Sequence, residues 1–268
     1  MNKTVSSDRW ADLFPRLASA LVMLLLGGAA IRAGGGWFAA LVVLACALMS
    51  WELARMTRGE GFDASVVIAV LAAAVLALNL WAPVPWFLPF LLLPALIGTL
   101  APRRDLLAFA PYALLIMLCG LALVMLREIH GMGALVWLLA VVIASDVLGY
   151  FAGRSLGGPK FWPAISPKKT WSGTLAGWIG ALAIGLYCWG VAGWPLAVVW
   201  AAPLIAFAGQ LGDIAESAIK RRAGVKDASN LIPGHGGLMD RFDALLFASI
   251  MVLLLNQFAP FLPVAVKG

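Results

Sequence analysis

The 27 residues from Ser217 to Asp243 contain most of the side chains in this sequence that could carry out chemistry. They include five basic side chains, three aspartates, one histidine and a group of glycines around that histidine. Glycines beside His235 allow positive φ angles and close backbone approach, so that consecutive N–H groups can bind an anion. Asp240 and Asp243 stand three residues apart at the start of a predicted helix. They could share a divalent cation, or they could simply favour the positive end of the helix.

Two further aspartates lie inside apolar segments, where a charge is costly and commonly marks function. Asp146 is surrounded by aliphatic residues and has no basic residue one turn after it. It is predicted to contact a metal ion or substrate in a polar cavity, and pairing with a base of the next loop is the alternative. Asp213 shares one helix face with Glu216, Ser217 and Lys220, which follow at i+3, i+4 and i+7. We expect a Glu216–Lys220 ion pair and a metal or substrate role for Asp213.

Basic residues are concentrated in two polar loops of the C-terminal half. The first loop includes residues 153–158 and 166–173, and the second follows Ser217. Cations that clamp phosphates, beside carboxylates that hold Mg²⁺, are the groups that phosphoryl transfer requires. Binding of anionic lipid headgroups alone would explain the bases but not the aspartates. The nine bases are Arg154, Lys160, Lys168, Lys169, Lys220, Arg221, Arg222, Lys226 and Arg241.

Other charged or reactive side chains are predicted to be structural. Glu52 is followed at i+3 by Arg55 at the end of an apolar segment, which predicts a local ion pair at the membrane interface and no chemistry. The three cysteines lie far apart in apolar stretches without metal or redox spacing, so they are predicted to be buried packing residues. They are Cys46, Cys119 and Cys188.

The elements that must position these groups are almost entirely apolar. Hydrophobic residues make up 63% of the 268 residues, charged residues make up 12%, and the mean hydropathy is +0.96. Soluble domains average about 45–50% apolar and about 25% charged residues, so a soluble globular protein and a disordered chain are both excluded. Nine hydrophobic segments have roughly the length of a membrane-spanning helix. They cover residues 15–31, 36–56, 65–81, 84–100, 105–126, 132–152, 172–192, 194–215 and 242–262.

The distribution of basic residues predicts the orientation of these segments. With the N-terminus in the cytoplasm, 16 of the 19 basic residues, Lys3 and Arg9 among them, lie on the cytoplasmic side, and only Arg32, Arg127 and Lys267 lie outside. We therefore expect an all-α polytopic integral membrane protein with about nine transmembrane helices, a cytoplasmic N-terminus and a periplasmic C-terminus. Residues 1–130 supply the N-terminal helices, and residues 131–268 supply the C-terminal helices with the cytoplasmic catalytic loops, in one integrated membrane domain. Basic cytoplasmic loops explain the net charge of +6 without nucleic acid.

The segment between residues 217 and 243 resembles the signature of the phosphatidate cytidylyltransferases, also called CDP-diacylglycerol synthases. Every fixed position of that signature is filled in Ser217-x-Ile219-Lys220-Arg221-x₄-Lys226-Asp227-x-Ser229-x₂-Ile232-Pro233-x-His235-Gly236-Gly237-Leu238-x-Asp240-Arg241-Phe242-Asp243. The blocks 146–157, 166–173 and 212–217 are similar to other parts of the family. Two places depart from its pattern, since Ser172 stands where an acidic residue is common and Val147-Leu148 stands where small residues are usual.

The resemblance implies a reaction in which phosphatidic acid and CTP give CDP-diacylglycerol and pyrophosphate, with Mg²⁺ and room for a second cation. It implies metal ligands among Asp146, Asp213, Asp240 and Asp243. It implies catalytic roles for Asp213, Lys226, Asp227, His235, Asp240, Arg241 and Asp243. It implies substrate contacts from Lys168, Lys169, Ser217, Lys220, Arg221, Gly236 and Gly237.

The same resemblance places the protein in the inner, cytoplasmic membrane with its active site on the cytoplasmic side. CTP, phosphatidic acid and membrane lipids are the expected partners, and nucleic acid is not. Gly- and Ala-rich helix faces allow either a homodimer contact or close packing within one chain. A CTP-dependent lipid kinase and a transporter of a phosphorylated substrate are the two alternative functions.

Overall fold

The structure is a computed structural model that describes residues 13–82 and 84–263, with side chains from residue 15 onward. Both chain termini, with Lys3, Arg9 and Lys267 of the charge count, lie outside the described residues. In chain order the helices are α1 (Leu13–Ala33), α2 (Gly35–Met56), α3 (Ser65–Trp81), a 3₁₀ helix (Pro85–Leu92), α4 (Leu93–Leu100), α5 (Leu106–Ser155), α6 (Trp171–Gly190), α7 (Ala197–Arg222) and α8 (Met239–Phe258).

Six helices of the described chain, α1, α2, α5, α6, α7 and α8, are long and apolar enough to cross a membrane. Helix α3 and the segment formed by the 3₁₀ helix and α4 are apolar but shorter. Large apolar side chains such as Trp86 and Leu107 lie on the outer surface, as in a protein surrounded by lipid. The predicted all-α architecture with several candidate membrane spans is therefore confirmed. The count of nine spans and the orientation of the termini stay predictions.

Helix α5 is 50 residues long and is interrupted at Gly131. There the backbone has φ 80° and ψ 179°, which is not helical and which glycine adopts without a steric penalty. Near this break Arg127 Nε donates to the carbonyl of Ile31 over 3.0 Å, and His130 Nδ1 lies 2.9 Å from the carbonyl oxygen of Pro263. We call this region, where α1 and the chain after α8 meet the break, the kink end of the helix bundle.

The opposite end of the bundle is formed by the loops that carry the charged residues. Ser19 of α1 lies 2.8 Å from His235 Nδ1, and Arg222 at the end of α7 pairs with Asp105 at the start of α5 over 3.3 Å. Distant parts of the sequence therefore meet around residues 217–243, which we call the signature segment. We call this end of the bundle the signature end.

A short antiparallel hairpin connects α5 to α6, and sequence analysis did not predict it. Strands β1 (Lys160–Trp162) and β2 (Ser166–Thr170) follow α5, and Thr170 begins α6 by accepting a hydrogen bond from the Gly173 N–H over 3.2 Å. The rings of Phe161 and Trp171 meet edge to face at 4.7 Å, which fixes the hairpin against the first turn of α6. The hairpin holds Lys168 and Lys169 near the helices.

Small residues let the helices of the C-terminal half approach each other closely. A Cβ atom on Gly173 would lie 2.5 Å from the carbonyl oxygen of Gly149, and one on Gly177 would lie 2.7 Å from Ser145 Oγ. A Cβ atom on Gly212 of α7 would collide with the carbonyl oxygen of Asp243 on α8. Close backbone contact of this kind is typical of membrane helices and brings the polar residues of α5, α6, α7 and α8 together.

Candidate active site

A cavity of about 620 Å³ opens at the signature end between the second half of α5, the hairpin, α6 and α7. Asp146 and Asp213 both line it, although they stand on different helices. Lys169 reaches across from the hairpin and lies 2.5 Å from Asp213 Oδ2. We call it the basic cavity, because Arg154, Lys160, Lys168 and Lys169 also line it.

The floor of the basic cavity is a polar network around Gln210 that sequence analysis missed. Gln210 Nε2 donates to Ser145 Oγ over 3.1 Å and to the Thr174 carbonyl over 3.3 Å. Trp178 Nε1 donates to Gln210 Oε1 over 3.0 Å. A buried amide with its polar atoms satisfied fixes the relative positions of α5, α6 and α7 beneath Asp213. Its signal in the sequence is weak, because Gln210 is an isolated glutamine in an apolar helix.

Asp240 is the centre of a cradle that holds the signature segment in place. Its Oδ1 atom lies 2.7 Å from Lys220 Nζ. Its Oδ2 atom accepts hydrogen bonds from the Gly237 N–H over 2.7 Å and from the Ala228 N–H over 2.9 Å. Because both oxygens are engaged by the protein, Asp240 orders the loop whether or not it also binds a metal ion.

The predicted ion pair between Glu216 and Lys220 is present at 2.7 Å. Lys220 also binds Asp240, so that one ammonium group bridges α7 and α8. Glu216 is fully buried, and its Oε1 atom has no hydrogen-bond partner among the described residues. This region therefore contains one more carboxylate oxygen than its donors satisfy.

Asp243 follows Asp240 on the first turns of α8. It is close enough to Asp213 and Asp146 for their like charges to repel one another, and it also interacts electrostatically with Lys220. Gly212 lets the backbones of α7 and α8 approach closely at Asp243. This contact brings Asp213, the next residue of α7, near Asp243. The structure thus places three of the four predicted metal-binding aspartates within electrostatic range of one another, and Asp240 stands one helical turn before Asp243.

The turn around His235 has the left-handed geometry that its glycines predict. Gly234 and Gly236 have φ values of 73° and 81°, so any other residue there would be strained. The Ile232 N–H donates to the Gly236 carbonyl over 2.8 Å, and Arg241 Nε donates to the His235 carbonyl over 3.0 Å. The Arg241 side chain therefore supports this turn by donating to the backbone carbonyl of His235.

The remaining predicted residues lie at or near the surface of the signature end. Ser217 Oγ donates weakly to Asp213 Oδ1 over 3.4 Å, and Arg221 donates to the Val225 carbonyl at the same distance. Lys226 and Asp227 are exposed on the loop. Their predicted roles toward substrate, like those of Lys168, Gly236 and Gly237, stay predictions.

The prediction for Glu52 was wrong. Glu52 forms no ion pair with Arg55, whose guanidinium instead lies 4.7 Å from the centre of the Trp51 ring. The Glu52 carboxylate is fully buried and accepts hydrogen bonds from the signature segment, including one from the Ser229 hydroxyl. The local spacing of i and i+3 suggested a partner on the same helix, whereas the actual partners are distant in sequence.

The chemistry of the acidic side chains suits a hard divalent cation. Carboxylate oxygens are preferred ligands of Mg²⁺, and Asp146, Asp213 and Asp243 supply an excess of negative charge beside the unpartnered oxygen of Glu216. Within residues 13–82 and 84–263, however, no three acidic, histidine or cysteine side chains converge as metal ligands, and Lys169 holds Asp213 instead. The predicted Mg²⁺ ion and second cation stay predictions.

The family of the chain follows from comparison with known proteins. The model of the cytidylyltransferase family matches residues 14–259, which include both polar loops and every helix of the bundle. The chain belongs to this family. Membership agrees with the resemblance of the signature segment to the phosphatidate cytidylyltransferase signature. The acidic and basic groups at the signature end all lie within the matched residues.

Individual relatives of this cytidylyltransferase-family chain are similar over about half of their length. A phosphatidate cytidylyltransferase of Brucella abortus biovar 1 (strain 9-941) is 44% identical over 141 residues, which are 50% of this chain and 52% of that protein. One of Bacillus subtilis (strain 168) is 41% identical over 121 residues, 44% of this chain and 45% of that protein. One of Helicobacter pylori (strain J99 / ATCC 700824) is 41% identical over 130 residues, 48% of each chain.

Proposed function

We propose that the protein transfers the cytidylyl group of CTP to phosphatidic acid, producing CDP-diacylglycerol and pyrophosphate. Family membership and the names of the relatives support this reaction class. The observation that carries the proposal is the basic cavity, in which four cations lie beside Asp146 and Asp213. A site that joins two phosphate-bearing reactants must neutralise both of them and still hold carboxylates for a metal ion, and this cavity offers both kinds of group.

The two substrates reach the basic cavity from different directions in this proposal. CTP arrives from the aqueous side, where the exposed bases of the loops attract it. Phosphatidic acid enters sideways from the lipid, because its acyl chains need not leave the bilayer. Val147 and Phe151 support this route, since they are exposed apolar residues of α5 beside the cavity-lining residues Asp146 and Tyr150.

The lipid phosphate is already an anion at neutral pH, so the reaction needs no general base. An oxygen of the phosphatidate attacks the α-phosphorus of CTP while the bond from that phosphorus to the bridging oxygen breaks and pyrophosphate leaves. Lys168 and Lys169 balance the charge of the phosphates from the hairpin. His235 donates to the leaving pyrophosphate through Nε2, for which the described structure gives no hydrogen bond. The main contribution of the protein is alignment and charge neutralisation.

A divalent cation would be held by Asp213 and Asp243, with Asp146 and Asp240 as the further candidate ligands. When bound, Mg²⁺ would polarise the phosphates and reduce their mutual repulsion. Lys169 must then release Asp213, and phosphate oxygens are the natural alternative partner for its ammonium group. Lys169 would thereby exchange a carboxylate for a substrate phosphate.

The membrane topology that fits this function has nine spans, with the signature end in the cytoplasm of the inner membrane. Three observations support it. Helix α5 contains two helices joined at Gly131, the start of α1 contacts the signature segment, and the chain after α8 contacts the kink end. These contacts support the proposed orientation, with the N-terminus inside and the C-terminus outside.

The test is an assay of the purified full-length protein in detergent with phosphatidic acid, Mg²⁺ and CTP labelled either in the cytidine or in the γ-phosphate. We expect label from cytidine in the extracted lipid and label from the γ-phosphate in pyrophosphate. Lipid carrying the γ-phosphate, with CDP released, would instead identify a lipid kinase. Absence of CTP consumption under all conditions would contradict the enzymatic proposal and favour a transporter.

A further inference from the structure

Glu52 is a buried carboxylate in the N-terminal half of the chain, to which the proposed reaction gives no role. Its side chain on α2 has 0% of its surface exposed. Among the described residues no basic side chain forms an ion pair with it. A buried charge is tolerated only where hydrogen bonds replace the lost water, so its partners identify what it holds.

Within the part of the chain that the structure describes, all hydrogen bonds of the Glu52 carboxylate come from the signature segment, including the start of α8. Ser229 Oγ donates to Oε1 over 2.5 Å, the Leu238 N–H donates to Oε1 over 2.8 Å, and the Met239 N–H donates to Oε2 over 2.7 Å. Leu238 and Met239 begin α8, where N–H groups have no partner within the helix. A carboxylate at this position also interacts favourably with the positive end of the helix.

Glu52 and Asp240 accept hydrogen bonds from adjacent residues of the signature segment. In two places the residue whose N–H binds Asp240 is followed directly by a residue that binds Glu52. The signature segment is therefore clamped between one carboxylate from α2 and one from α8. The two places are Ala228 with Ser229, and Gly237 with Leu238.

The absence of a side chain at Gly237 makes this clamp possible. A Cβ atom there would lie 2.6 Å from Glu52 Oε1 and 3.0 Å from the Ser229 nitrogen. The first distance is too short for a real contact and the second is tighter than most, so a larger residue would push the carboxylate out of the clamp. The glycine thus has a packing reason that is independent of any substrate.

We propose that Glu52 is a positioning residue that fixes the first turn of α8, so that Asp240 and Asp243 are held beside Lys220 and Asp213. The inference rests on the proposed cytidylyl transfer for its kinetic test only. The structural clamp stands on the hydrogen bonds alone. It gives the N-terminal helices a specific part in the site, because α2 supplies the group that orients a helix of the C-terminal half.

The experiment compares full-length wild type with Glu52→Gln in detergent by hydrogen–deuterium exchange and by kinetics. A glutamine keeps the size of the side chain but turns an NH₂ group toward N–H donors, so one side of the clamp breaks. We expect exchange in peptides covering residues 228–240 to rise roughly tenfold or more. We expect kcat to fall roughly tenfold or more with both KM values changed less than about threefold, because misalignment affects the reacting geometry while the cavity bases still bind substrate.

Two further variants make the test decisive. Glu60→Gln removes a carboxylate that is exposed in the loop after α2 and makes no hydrogen bond within the described chain, so it should match wild type in both measurements. Ser229→Ala removes one of the three donors and should raise exchange in the same peptides to a smaller extent. It decides the question if Glu52→Gln does not fold.

The outcomes separate the clamp from the proposed function. Wild-type exchange in a folded Glu52→Gln protein would overturn the inference, as would a rise in KM without a fall in kcat. If Glu52→Gln cannot be purified, unchanged exchange in Ser229→Ala overturns it. If wild type makes no CDP-diacylglycerol, the proposed function fails, whereas the exchange comparison still supports or contradicts the clamp.

Discussion

At the scale of single residues, Asp243 combines a charge that its neighbours disfavour with a ligand role in the proposed reaction. It is repelled by the like charges of Asp213 on α7 and Asp146 on α5. Asp243→Asn keeps the shape of the side chain and removes that repulsion, so the thermal stability of the protein should be unchanged or higher. CDP-diacylglycerol formation should fall by roughly 10²–10³-fold, because the carboxylate is proposed to organise charge in the transition state. A folded Asn variant with wild-type, Mg²⁺-dependent turnover would remove Asp243 from the mechanism.

Two adjacent lysines of the hairpin should behave differently, because among the described residues only Lys169 forms an ion pair. Lys169 lies against Asp213, whereas Lys168 is exposed at the edge of the cavity. Lys168→Gln should raise the KM for CTP by roughly tenfold, the worth of one charge-assisted contact, without changing stability. Lys169→Gln should have the same kinetic effect and also lower the free energy of unfolding by about 1 kcal/mol, since the pair is partly exposed. Equal stability losses in thermal denaturation of the two variants would contradict the assigned pairing.

Sequence patterns found the residues whose partners are near in the chain and missed those whose partners are distant. The spacing of Glu216 and Lys220 predicts their ion pair directly, because helical periodicity places i and i+4 together. The same reasoning failed at Glu52, where a residue of α2 meets the start of α8. Gln210 was missed for the same reason, since its partners stand on other helices.

At the scale of elements, the distance between α7 and α8 depends on Gly212. An added Cβ there would collide with the Asp243 carbonyl and lie 3.0 Å from the Phe247 ring. Gly212→Ala should therefore push the two helices apart, destabilise the protein by about 1–3 kcal/mol and lower turnover, since Asp213 and Asp243 move with their helices. Gly27→Ala is the matched control, because a Cβ at Gly27 of α1 meets no atom within 4 Å. Thermal denaturation and turnover of Gly27→Ala should equal or exceed those of wild type, and equal behaviour of both variants would contradict this packing argument.

Apolar length identified the helices, but composition did not indicate the hairpin or the 3₁₀ helix. Residues 160–170 have little alternation of apolar and polar side chains, and their pairing depends on contacts such as that between Phe161 and Trp171. In the 3₁₀ helix Pro89 lacks an N–H donor, which interrupts the hydrogen-bond pattern of a regular α-helix. Such departures arise from local sterics and tertiary contacts that hydrophobic periodicity does not encode.

At the scale of the whole molecule, lengths decide how often the chain can cross a bilayer. An α-helix of 50 residues would extend about 75 Å, far beyond the roughly 30 Å of a hydrocarbon core. We therefore propose that α5 crosses twice, with the break at Gly131 between the two crossings. The 3₁₀ helix with α4 spans about 28 Å, because a 3₁₀ helix rises about 2.0 Å per residue, and α3 spans about 26 Å. Each of these two lengths is close to one crossing. Added to two crossings by α5 and one each by α1, α2, α6, α7 and α8, they give nine proposed spans, which is an odd number.

An odd number of crossings puts the two termini on opposite sides of the membrane, and this is testable directly. A reporter that is active only outside the cytoplasm, fused after Gly268, should be active, while the same reporter fused before Met1 should be silent. A fusion within the loop after α7, at Gly224, should also be silent, because the bases there are retained in the cytoplasm. Deleting residues 85–100 removes one proposed crossing and should reverse the signal of the fusion after Gly268. Silence of this reporter after Gly268 of the full-length protein would contradict the odd count, and α3 and residues 85–100, as the shorter apolar segments, are the ones whose crossing it would call into question.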